Sequence, residues 1–177
     1  ENIDQANTFL SGFRPGVTTE MKWAVPIAAP GVGANAAQCS AAIDAVIAGQ
    51  CDTDIRSLAQ IIAADATQAV IDIRPGWEPN YSTSYPWGST MVSPTQYIAA
   101  FRKVVTLFRA VDKRFRVTYC VGVRKDSSWP IETLYPGDDY VDLIGIDAYV
   151  ITADRSTMKD AQHVDYMFDG FYTRSEE

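Results

Sequence analysis

The sequence predicts an α/β fold built on a parallel sheet, and three observations carry that prediction. Short runs rich in Val, Ile and aromatic residues at 21–27, 69–74, 116–123 and 140–149 read as strands. Helical spacing of apolar residues at 55–62 falls between the first and second strands, and at 97–111 between the second and third. The resulting order is strand, helix, strand, helix, strand, connection, strand. Strands that alternate with helices imply right-handed crossovers, which leave neighbouring strands parallel.

The chain of 177 residues is long enough for one domain with a substantial core. Its 47% hydrophobic and 21% charged content is ordinary for a globular protein. A formal net charge of −7 argues against nucleic acid and anionic membrane surfaces as partners, since both favour basic patches. No apolar run approaches the roughly 20 residues of a membrane span. The chain starts at Glu1-Asn2-Ile3, so no signal peptide is expected within it.

Taken in order, Ile3, Ala6, Phe9 and Leu10 make a weak helical face. The first strand, 21–27, has Pro26 near its end and leads into a loop from Ala28 to Ala37 loosened by Pro30, Gly31 and Gly33. Gly31-Val32-Gly33 lacks the third glycine and the lysine of a phosphate cradle. Asp52 or Thr53 is suited to cap a helix that presents Ile55, Leu58, Ile61 and Ile62. The second strand then breaks at Pro75-Gly76 and releases Trp77-Glu78-Pro79-Asn80, followed by the aromatic loop Tyr81, Tyr85, Pro86 and Trp87. Ser93 as cap and Pro94 in the first turn open the most periodic helix, with Tyr97, Ile98, Phe101, Val104, Val105, Phe108 and Val111 on one side. Arg102, Lys103 and Arg109 lie on its other side and read as solvated. The third strand runs from Arg116 to Val123, a turn falls at Tyr135-Pro136-Gly137-Asp138-Asp139, and the last strand covers 140–149. The tail carries an aromatic cluster at Tyr166, Met167, Phe168, Phe171 and Tyr172.

Three cysteines leave one odd. Cys39 and Cys51 could pair across a short segment, which would suit an extracellular protein, although two free thiols read the same way. Cys120, in an apolar run, reads as a buried thiol. With no C-x-x-C spacing and a single histidine, His163, neither a His/Cys zinc site nor Ser-His-Asp chemistry is expected, and no cofactor is expected.

Sites in parallel α/β folds gather at the carboxyl ends of strands. Glu78 sits at such an end, beside Trp77 and four residues after Arg74, and is a candidate general acid. The Trp would raise its pKa by restricting water; the Arg would lower it by holding the charge. The plain alternative is a surface glutamate next to a packed tryptophan. On the last strand Val141, Leu143, Gly145, Asp147 and Tyr149 share a face that brings Asp147 and Tyr149 to the same rim. Asp72 and Arg74 share a face of the second strand, where one reading is that they neutralise each other inside a barrel.

The segment Ile73-Arg74-Pro75-Gly76-Trp77-Glu78-Pro79-Asn80 with Tyr85-Pro86-Trp87 resembles the fourth-strand motif of family 26 glycoside hydrolases, the β-mannanase and lichenase group. Cys51-Asp52-Thr53-Asp54-Ile55 upstream and the stretch Tyr135 to Tyr149 downstream extend the resemblance over roughly 21–150, with three segments agreeing in order and spacing. The resemblance implies a partial (β/α)8 barrel holding its third to sixth strands, Glu78 as general acid/base, and Arg74 and Asn80 positioning it and the sugar. It also implies Trp77 and Trp87 as sugar platforms and Tyr149 as the tyrosine that contacts the nucleophile. Trp129 has two readings, a further platform or plain packing. The family usually reads Glu-Met-Asn-Gly, whereas here Tyr81 follows Asn80 and alters the loop beside the acid/base. The family's nucleophile, a seventh-strand glutamate, is expected outside this chain. Asp147 is the other carboxylate near the rim. Asn80-Tyr81-Ser82 also fits a glycosylation acceptor and is read as coincidence.

A full barrel takes about 250 residues. The chain is therefore expected to be part of a longer enzyme, to be completed by another chain, or to be a shortened fold with another use. Two functions follow: an extracellular retaining hydrolase of mannan-like or mixed-linkage β-glucan, or a non-catalytic glycan-binding or structural protein on a truncated barrel.

Overall fold

The computed structural model describes residues 22–81, 85–122 and 130–147. Expectations for 3–15, Trp129, Tyr149, His163 and the 166–172 cluster fall outside them.

Four parallel strands form one sheet: β1 (Lys22–Val25), β2 (Ile71–Pro75), β3 (Phe115–Gly122) and β4 (Leu143–Asp147), in the order β1-β2-β3-β4. Helices α1 (Ala36–Ile47) and α2 (Asp52–Ala63) connect β1 to β2, and α3 (Pro94–Val111) connects β2 to β3. Two 3-10 turns, Ile131–Leu134 and Asp138–Tyr140, precede β4. A strand order that follows the chain without reversing puts every right-handed crossover on the same face, which is the winding of a barrel rather than of a doubly wound sheet.

Helix α1 was not expected. It starts at Asn35, whose Oδ1 accepts from Gln38 N while Gln38 Oε1 accepts from Asn35 N, each at 3.0 Å. It buries Cys39, Ile43 and Val46. Cys39 and Cys51 do not pair: both are free thiols, Cys39 turned into the core. Cys39 lies in the first turn of α1 and Cys51 beyond its last, roughly 12 Å of helix apart at 1.5 Å per residue.

The cap of α2 also differs from expectation. Cys51 occupies it with no side-chain bond, while Asp52 and Asp54 sit in the first turn, where acidic groups favour the helix dipole. At the far end Arg114 gathers the carbonyl of Ala63 at 2.6 Å, which the helix leaves open, and those of Asp65 and Gln68 in the turn beyond it at 2.9 Å.

Helix α3 is capped as expected, with Ser93 Oγ accepting from Gln96 N and Pro94 at the first position. It buries Tyr97, Phe101, Val104, Val105 and Phe108 against β2 and β3, each side chain worth about 1.5–3 kcal/mol of burial. Its basic residues are not merely solvated. Lys103 pairs with Asp52 at 2.9 Å, Arg109 with Asp142 at 2.8 Å, and Arg102 donates to Pro136 O and lies over the Tyr140 ring.

The other face of the sheet is polar. Asp72 and Arg74 do not neutralise each other: Asp72 is bound by Arg116, directly opposite it on β3, and Arg74 reaches across to Asp147. Neighbouring strands lie about 4.8 Å apart against about 6.6 Å between alternate residues of one strand, so Asp72 meets Arg116 first, while the long Arg74 side chain reaches past β3 to Asp147 on β4. Gly145 lies under Thr118, whose Cγ2 would stand 2.7 Å from any Cβ there. No helix among the described residues is long and apolar enough to cross a membrane.

Candidate active site

The turn after β2 is held from three sides. Gly76, with φ of 50°, is packed so closely that a Cβ there would stand 2.9 Å from Ile27 Cδ1. Tyr97 of α3 donates to Gly76 O at 2.9 Å from below. Glu78 N donates to Cys120 O at 2.8 Å, tying the turn to β3. These restraints hold Glu78 at φ of 52°, the left-handed region, and it is the sole non-glycine there among the described residues. Such strain persists where surrounding contacts over-determine it.

Glu78 is 3% exposed and is no surface residue. Its Oε2 accepts from Tyr85 Oη at 2.8 Å, and its Oε1 is buried with no partner among the described residues. Burial pushes the carboxyl above its ordinary range; Tyr85 opposes this, Asp147 adds to it, and Arg74 opposes it least. Arg74 is weak here because its guanidinium is committed to Asp147, to Cys120 Sγ at 3.7 Å and to the Trp77 face at 5.7 Å. Of the two opposed effects read from the sequence, exclusion of water is the larger.

Arg74, Trp77, Asn80, Trp87 and Asp147 lie with Glu78 at one end of the sheet, and Tyr149 lies outside the described residues. Two of them stand differently from expectation. Asn80 is 1% exposed and offers nothing outward: its Nδ2 donates to Gly122 O at 2.7 Å and its Oδ1 accepts from Gly122 N at 2.9 Å, extending the sheet by one side chain. Trp87, also 3% exposed, presents no face for stacking. Tyr85 lies parallel to it at 5.3 Å, and its Nε1 donates to Trp77 O at 2.8 Å. Trp77 meets both rings edge-on, at 5.1 Å from Tyr85 and 4.9 Å from Trp87. Of these three rings, Trp77 and Tyr85 are the half-buried ones. Sequence reasoning left Tyr85 without a role; the run Tyr85-Pro86-Trp87 so soon after a candidate acid was the available signal.

A family model described as Glycosyl hydrolase family 26 matches residues 17–172. The chain belongs to glycoside hydrolase family 26. It is 35% identical over 133 residues to Endoglucanase H of Acetivibrio thermocellus, a match covering 70% of this chain and 14% of that protein. It is 34% identical over 89 residues to a mannan endo-1,4-beta-mannosidase of Bifidobacterium adolescentis, covering 49% of this chain and 9% of that one. Among solved structures it resembles the family 26 protein GH26C of a Muricauda species, with a TM-score of 0.58 at 19% identity over 75% of this chain and 38% of the other. The parallel sheet and its helices are thus part of a family 26 barrel, and the chain spans well under half the length of the relatives it matches.

Proposed function

We propose that these residues form part of a retaining β-glycanase that acts outside the cell on mannan-like or mixed-linkage β-linked polysaccharide, with Glu78 as general acid/base. The observation that carries this reading is a carboxyl that burial displaces upward, with one oxygen anchored and the other buried without a partner among the described residues, at the strand ends among Trp77 and Tyr85. Retaining chemistry needs a second carboxyl about 5–5.5 Å away. Asp147 is bound to Arg74, and its part in this reading is to fix Arg74 at the strand ends beside Glu78. The nucleophile belongs to the remainder of the barrel.

In the first step the Glu78 proton passes to the glycosidic oxygen as its bond to the anomeric carbon breaks, and the nucleophilic carboxylate bonds to that carbon. In the second, the Glu78 carboxylate takes a proton from water, whose oxygen displaces the nucleophile and releases the sugar. Trp77 and Tyr85 offer ring surface to the apolar faces of the pyranoses, and Trp87 backs them. An upward-displaced carboxyl keeps its proton to a higher pH than an ordinary glutamate, which is the direction a general acid needs.

The test is Glu78→Gln in the whole protein that contains these residues. Turnover of unactivated β-mannan or β-glucan, read as reducing ends, falls by about 10²–10⁴-fold. Turnover equal to that of the native protein overturns the role of Glu78. Retained glycan affinity in a native protein that releases no reducing ends points instead to a glycan-binding function.

A further inference from the structure

We infer that Tyr85 is a positioning residue that anchors Glu78 Oε2 through its hydroxyl, making Oε1 the oxygen that gives and takes back the proton. This rests on the reading of Glu78 as the acid/base.

A carboxyl has two oxygens, and a general acid works only if its proton sits on the one that meets the leaving group. Here the two are not equivalent. Oε2 accepts from Tyr85 at 2.8 Å, while Oε1 is buried and without a partner among the described residues. A buried acceptor left open is costly unless something arrives to meet it. Among the described residues, the other charged or titratable groups around the carboxyl leave that vacancy as it is. Arg74 on β2 is bound to Asp147 on β4, and both act on Glu78 only through their charge. The Cys120 thiol on β3 is pushed up to about 11 by burial and stays neutral.

The anchor is itself held. The Tyr85 ring lies parallel to Trp87, with 2° between their planes. Trp87 is fixed by its bond to Trp77 O, and Trp77 precedes Glu78 in the chain. The four residues close a ring of contacts, so the phenol oxygen is placed relative to the backbone that carries the carboxyl. A held donor of this kind orients an acid without taking part in the bond changes. The hydroxyl also favours the ionised carboxyl, against the effect of burial.

The experiment is Tyr85→Phe in the whole protein, with the Glu78 carboxyl titration followed by carbon-13 NMR beside the pH profile of kcat/KM. Losing a donor that favours the charged form raises the carboxyl pKa. Both the titration and the alkaline limb of kcat/KM, where the acid loses its proton, move up by about one pH unit. A carboxyl titration that stays where it was overturns the inference, whatever happens to the rate. A titration that moves while the limb does not overturns the part Tyr85 plays in the reaction. Incorporation of fluorotyrosine, whose phenol is a stronger donor, serves if the Phe variant does not fold: the titration moves down, and an unmoved titration again overturns the anchor. Loss of rate in Glu78→Gln tests the acid/base reading separately, so the two fail independently.

Discussion

Asn80 shows how a residue serves a site without facing it. Its amide gives one donor and one acceptor to the backbone of Gly122, and all three groups are buried. With Glu78 N bound to Cys120 O, it forms the second rivet between the loop and β3. Asn80→Ala would leave the Gly122 N–H and C=O unsatisfied. The expected loss is about 2–4 kcal/mol in a urea titration, with a fall in kcat because Glu78 is released from its left-handed conformation. Asn80→Asp keeps the acceptor, loses the donor and is expected to fall between. If Asn80→Ala costs as little as an exposed substitution, the loop is held by other means. The position of Glu78 was legible in the sequence, because a Val/Ile-rich strand that stops at Pro-Gly delivers the next residues to the rim. The inward turn of Asn80 and Trp87 was not. It depends on partners 42 and 10 residues away, which no local pattern reveals. The partnership of Tyr85 with Glu78 was hidden for the same reason, since the loop between them has no period from which to read direction.

Among the elements, those with both a cap and a period were legible. Helix α3 has Ser93, Pro94 and Gln96 at its start and a full apolar face, and the structure follows it closely. Its first turn also reaches α1, because Gln96 Nε2 donates to Ser40 Oγ at 2.7 Å and Asp44 Oδ1 at 2.9 Å. Ser93→Ala removes the cap and should cost about 1 kcal/mol, read as a lower urea midpoint with an unchanged slope. A loss well above that would mean that the Gln96 bridge to α1 depends on the cap too. Helix α1 escaped notice because alanines dilute its apolar face to Cys39, Ile43 and Val46; the Asn35–Gln38 box was its one clear signal. The last strand begins later than its apolar run suggests. Gly137 at φ of 98° opens a 3-10 turn over Asp138–Tyr140, and Asp142 leads into the strand by donating its N–H to Val117 O at 2.9 Å while its carboxylate accepts from Val117 N and Arg109.

For the molecule as a whole, the same charges that shape the site decide how stability follows pH. Among the described residues three aspartates are held below the usual carboxylate range: Asp72 by its bond from Arg116, Asp112 by Arg114 and Asp65 by Thr67. Each contributes stability that is present above its unfolded pKa of about 3.9 and lost as the pH falls through its lower folded value. Glu78 has the opposite sign. Its folded pKa lies above the unfolded value of about 4.3, so the folded state binds that proton first. Stability therefore rises as the pH drops from the folded value of Glu78 towards about 4.3, then falls as the aspartates take up protons. Glu78→Gln removes the rise and leaves the fall. At pH 7 the variant should be the more stable protein, by about 1.4 kcal/mol for every tenfold by which burial has raised the proton affinity of Glu78. Near pH 4 the difference should vanish. Denaturant titrations at pH 7, 5.5 and 4 measure the difference directly. A variant no more stable than the native protein at pH 7 would mean that the folded state does not hold Glu78 at a cost, and a site whose acid is kept poised by exclusion of water requires that it does.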